Sequence, residues 1–150
     1  MAREKIQKTG TPAGRKLPDK KQSARIEPEI IVDILFEPEV FYLVVKNISS
    51  RPLYLVSVHF DPPLYGLQGR QNMAELPLFQ KIIFLAPQKE IRTFLDSPRS
   101  YFARGAAEQI DVEIQYRDFL GEDYQTVIHH DLEIYKSLWQ AEKINRGEEK

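Results

Sequence analysis

The chain contains no cysteine, which excludes disulfides, thiolate nucleophiles and cysteine-bound zinc. That composition fits a reducing compartment. Long hydrophobic runs are missing too. No stretch approaches the roughly 20 apolar residues needed to span a bilayer, and residues 1–27 hold no apolar run of signal-peptide length. A cytoplasmic protein without a transmembrane segment is therefore expected. Nor is there an excess of one charge: the net value is −1, so the chain as a whole is not built to bind nucleic acid.

Catalytic signatures are equally sparse. No Gly-x-Ser-x-Gly elbow is present. Gly66-x-x-Gly69 lacks both a Lys-Ser/Thr pair and a strand–helix setting, so it is not a phosphate loop. His129 and His130 are adjacent, which on a strand sends their side chains to opposite faces. With His59 they exhaust the histidines, and no spacing to carboxylates matches a metal site. The expectation is a protein that is not an enzyme, with no cofactor and no metal ligands. Asn47-Ile48-Ser49 has the pattern of a glycosylation acceptor, but is read here as a turn.

Short apolar segments rich in β-branched and aromatic residues, bounded by Pro, Gly, Asn or Asp, fill the middle of the chain. They predict strands over 30–35, 40–47, 53–61, 79–85, 91–95, 109–116 and 123–131. In 109–116, Ile110, Val112, Ile114 and Tyr116 alternate with Asp111, Glu113 and Gln115, giving one dry and one wet face. Seven strands in about 100 residues match an all-β, antiparallel, immunoglobulin-like sandwich. The expected organisation is a disordered basic tail over 1–27, the sandwich over 28–131, and a short helix with its tail over 132–150. Tyr135, Leu138 and Trp139 are expected along one side of that helix.

The segments Phe41–Pro52, Phe84–Ile91 and Val112–Tyr124 carry a recurrent order of strand and turn residues. In this the chain resembles bacterial immunoglobulin-like domains of the cell-adhesion-related type, and single-domain prokaryotic proteins of unknown function. Ser49 and Gln88 stand where those patterns commonly have glycine. The resemblance implies a fold and supplies no catalytic residues.

Two regions are candidates for recognition. If consecutive strands run antiparallel, the long segments 62–75 and 96–107 meet at one end of the sandwich. Tyr65, Arg70, Asn72, Arg99, Tyr101 and Arg104 could then share a surface, with Trp139 nearby. Tyr, Trp and Arg dominate binding hot spots, so a protein partner is expected there. The alternative is that Tyr65, Phe102 and Trp139 plug the open end of the core. The second region is residues 1–27, with eight basic against three acidic side chains, a net of +5. It reads either as a solubilising extension or as a weak, salt-sensitive tether to nucleic acid or an anionic surface.

Overall fold

The computed structural model describes residues 28–147; the tail over 1–27 lies outside the described residues. The chain forms the expected all-β sandwich of antiparallel sheets. Strands β1 (Ile30–Glu37), β2 (Val40–Asn47) and β3 (Leu53–Asp61) are followed by a small ribbon, β4 (Tyr65–Gly66) and β5 (Gln71–Asn72). After a 3-10 turn at Met73–Glu75 come helix α1 (Pro77–Gln80), β6 (Ile82–Leu85), β7 (Glu90–Asp96), helix α2 (Pro98–Ala103), β8 (Gln109–Arg117), β9 (Asp123–Asp131) and helix α3 (Glu133–Asn145). One sheet has the order β1-β2-β7 and the other β6-β3-β8-β9.

Alternation of apolar side chains drives the layering. Val32 and Ile34 of β1, Phe41, Leu43 and Val45 of β2, and Leu95 of β7 face Val58 and Phe60 of β3 and Ile110, Val112 and Ile114 of β8. Each such buried side chain contributes roughly 1.5–3 kcal/mol. Strand β3 holds its alternation only through a bulge. Its pairing with β8 shifts between Tyr54 and Ser57, and Leu55 there adopts φ 51°. The additional residue lets Leu53 and Val56 both point inward.

Open edges are treated unequally. On β1, the carbonyl of Val32 accepts from Nε2 of His130 at 2.8 Å, and that of Ile34 accepts from the Tyr135 hydroxyl at 3.5 Å. Side chains thus occupy two carbonyls that a further strand would need. Edge strand β6, by contrast, exposes Ile83 (63%) and Phe84 (54%).

Three sequence expectations need correction. The strand expected over 79–85 begins only at Ile82, because Pro77 starts a helical turn that buries Phe79 against Phe60. The two long segments are not plain loops, since they carry the β4–β5 ribbon and α2. Finally, Tyr135 and Trp139 pack against the core, but Leu138 is 53% exposed. It shares an outward row with Ile134 and not the docked side.

Candidate functional site

The most constrained surface feature is the hairpin Tyr65–Asn72. Tyr65 pairs with Asn72 and Gly66 with Gln71. Around its tip, Gly69 N donates to Gly66 O at 2.9 Å and Arg70 N to Leu67 O at 3.2 Å. Leu67 and Gln68 have φ of 51° and 64°. Positive φ at two consecutive central residues is the requirement of a type I′ turn, which Asn and Gly normally fill. Side chains such as Leu and Gln pay on the order of 1–3 kcal/mol each for this conformation.

Surrounding contacts hold the turn in that state. Leu67 N donates to Leu95 O at 2.8 Å, which fastens the hairpin along the edge of β7. Gly66 is required at this crossing, because a Cβ would lie 2.3 Å from Leu95 O. Next in the chain, Asp96 is only 2% exposed. Its Oδ1 accepts from Gln68 N at 3.3 Å and from Ser97 N at 2.9 Å. Its Oδ2 accepts from Nη2 of Arg104 at 2.5 Å. Arg104 also donates to Tyr65 O at 2.9 Å, and its guanidinium lies 5.1 Å from the Tyr101 ring centre. The lone pairs of Asp96 are thus well satisfied, as a buried charge requires, whereas Nε of Arg104 is buried without a hydrogen-bond partner among the described residues.

Helix α2 supplies the floor. Ser97 caps it by accepting from Ser100 N at 3.1 Å, and Pro98 follows at the first helical position, where its missing N–H is harmless. The helix sends Tyr101 and Phe102 edge-on to Phe41, at 5.7 and 5.5 Å. The Tyr101 hydroxyl donates to Ala107 O. Burial pushes that phenol up to about 12, with the Arg104 charge opposing the rise.

The sequence candidates therefore separate into two groups. Tyr65, Arg70 and Arg99 are exposed at this end. Asn72 turns inward to cap the 3-10 turn, its Oδ1 accepting from Ala74 N at 3.2 Å. Tyr101 is wholly buried, so its expected place on a binding surface is corrected: edge-to-face packing on Phe41 makes it core. Arg104 is half-buried and braces the hairpin. Trp139 is half-buried, 5.7 Å from Phe102, which makes it part of the plug over the core. Leu67 (40% exposed), Gln68 and Asp96 were absent from the sequence candidates. The Asp96-Ser97-Pro98 helix start was the available signal for Asp96.

The histidines do face opposite ways. His129 contacts Asp111 at 2.5 Å and Gln109 at 2.9 Å on the outer surface, while His130 reaches Val32. Among the described residues no three His, Asp or Glu side chains are grouped to hold a metal ion, and no helix is long and apolar enough to cross a membrane. Asn47 of the glycosylation pattern is buried. Its Nδ2 donates to the carbonyls of Arg51, Leu85 and Ala86 at 2.8–3.1 Å.

A family model covers residues 2–136 of the chain. The chain belongs to that family, a domain of unknown function (DUF8453). No curated protein and no solved structure matches it. The DUF8453 match takes in the basic segment, the whole sandwich and the start of α3, and stops before Trp139.

Proposed function

We propose that this DUF8453 member is a non-enzymatic protein-interaction module that binds through the Tyr65–Asn72 hairpin. The supporting observation is the pair of left-handed residues Leu67 and Gln68, held by the buried Asp96–Arg104 pair. Backbone strain persists where its surroundings over-determine it, and such sites are commonly functional. Tyr65, Leu67, Arg70 and Arg99 supply an aromatic, an aliphatic and two cationic groups on a rigid frame, the chemistry of a hot spot. A partner surface combining apolar and acidic groups fits it.

The scaffold reads as immunoglobulin-like in its strand order. Relative to the constant-type arrangement, the fourth major strand, β6, has moved from the β1-β2-β7 sheet to the sheet of β3. A cytoplasmic setting accords with the cysteine-free composition.

The test is photo-crosslinking in native cells, with a crosslinking amino acid at position 67 and, as control, at Lys89 in the β6–β7 turn. A discrete protein adduct from position 67 alone supports the reading. Identical adducts from both positions, or none, overturn it. The second reading is an anionic tether worked by residues 1–27, favoured by the inclusion of that segment in the family match. Deleting it leaves a hairpin adduct intact on the first reading and abolishes binding on the second.

A further inference from the structure

The strand registers set the outward side chains of the three-stranded sheet in rows. Leu35, Tyr42 and Phe94 form one row, and Asp33, Val44 and Arg92 the next. A third holds Ile31, Lys46 and Glu90. Strand β2 runs down the middle, so every row has a β1 residue on one flank and a β7 residue on the other. All of these side chains except Val44 are exposed or half-buried, and Phe94 is 42% exposed.

Contacts already made on this face are local. Oδ1 of Asp33 accepts from the Ile34 N–H at 2.8 Å. Nη2 of Arg92 meets Oε2 of Glu90 at 3.1 Å, and its guanidinium lies 5.3 Å from the Tyr42 ring centre. An exposed pair of that kind contributes little by itself, so Arg92 has capacity for a second carboxylate.

We infer that this face pairs with the same face of a second copy, about a two-fold axis running along β2. The inference is independent of the hairpin reading. Charge is the first argument. A two-fold along β2 keeps each row level with its counterpart and exchanges the flanks, so Asp33 of each copy lies over Arg92 of the other. Leu35 then meets Phe94, and Val44 meets Val44. A two-fold running across the strands would instead stack Asp33 on Asp33 and Arg92 on Arg92, which repels. Of these two orientations only the first is self-complementary, as an isologous contact must be. Lys46 falls near the axis and meets its own counterpart, but Glu90 in the same row offers each ammonium a carboxylate.

Area is the second argument. Strands about 4.8 Å apart, rising about 3.3 Å per residue, give a face of roughly 14 by 23 Å. Aligned stacking of such faces is an ordinary way for sheets to pack. With the relief of the side chains included, it removes on the order of 1,000 Å² from water, the lower limit for a specific interface. The dimer is therefore reversible, filled at high protein concentration and dissociated in the dilute solutions used for melting curves.

The experiment is sedimentation velocity on the full chain, from low micromolar to near-millimolar concentration. A dimer that grows with concentration is expected. Asp33→Lys and Arg92→Glu, each with its melting checked, should each weaken pairing by about tenfold or more, since each sets like charges face to face. An equal mixture of the two variants should pair again, because the new lysine then faces the new glutamate while the intact Asp33 faces the intact Arg92. The chain carrying both changes should pair for the same reason. Three outcomes overturn the inference: a chain that stays monomeric throughout, as expected of a face that serves a different protein; a dimer that survives both substitutions but not Ile83→Arg or Leu138→Arg, which would put the contact on edge strand β6 or on α3; or single variants that do not pair when mixed.

Discussion

Asp96 and Arg104 meet at 2.5 Å beneath the Tyr65–Asn72 hairpin, and the carboxylate that the arginine grips also accepts the backbone N–H of Gln68. Removing the acid therefore releases the strained turn and its brace together. Asp96→Ala is expected to lower stability by about 3–5 kcal/mol, the usual cost of breaking a buried pair. Urea unfolding measures it. A loss below about 1 kcal/mol would show that the turn holds itself.

Gly66 and Gly121 make a controlled comparison. At Gly66 an added methyl meets backbone at 2.3 Å, whereas Gly121, at φ +87°, has open space around it. Gly66→Ala should cost about 2–3 kcal/mol through overpacking, and Gly121→Ala about 1 kcal/mol through backbone conformation alone. Equal melting shifts would contradict the close approach of the hairpin to β7.

Asn47 points its amide N–H groups at three carbonyls. An aspartate there would set a buried anion against those oxygens. Asn47→Asp should cost more than the about 1–3 kcal/mol expected for Asn47→Ala from unsatisfied acceptors. Its deficit should shrink as pH falls and the new carboxyl takes up a proton. A deficit insensitive to pH would place the side chain in water.

On α3 the two large apolar residues behave differently. Trp139→Ala should destabilise by about 2–3 kcal/mol, less than full aromatic burial would give, whereas Leu138→Ala should stay within about 0.5 kcal/mol. Melting curves decide it. Matching effects would restore the original single apolar stripe.

Alkali should loosen the fold. Tyr101 is held up to about 12, above its ordinary value of 10, and burial also raises Tyr116. A raised folded pKa gives stability that is complete below the unfolded value and lost as pH climbs from about 10 towards 12. Melting temperature should drop over that window, less steeply in Tyr101→Phe. That variant also loses the bond to Ala107, costing about 1 kcal/mol at neutral pH. Parallel curves for the two proteins would refute a buried phenol.

Much of the sandwich was legible because strands of seven to nine residues bury one face, and alternation records that face directly. The β4–β5 ribbon and α1 were not, since two to four residues are too few to show a period. Their conformations depend on distant partners, such as Leu95 for Leu67. Tyr101 misled for a related reason. An aromatic in a long irregular segment looks like a recognition residue until Phe41 is placed against it. Of the residues expected on one surface, Tyr65, Arg70 and Arg99 are exposed. The brace of Asp96 and Arg104 emerges only from folding, which joins residues 28 to 39 positions apart.

The bulge at Leu55 turns β3 into two strands with opposite phase, joined by one spacer residue. Deleting that residue would shift one half of the strand by a single position, turning either Leu53 or the Val56–Val58–Phe60 set outward. Changes of length are then tolerated in the turns beside β3 but not inside it. A lineage carrying this fold would keep the length between Leu53 and Phe60 constant even where the identities of the residues drift.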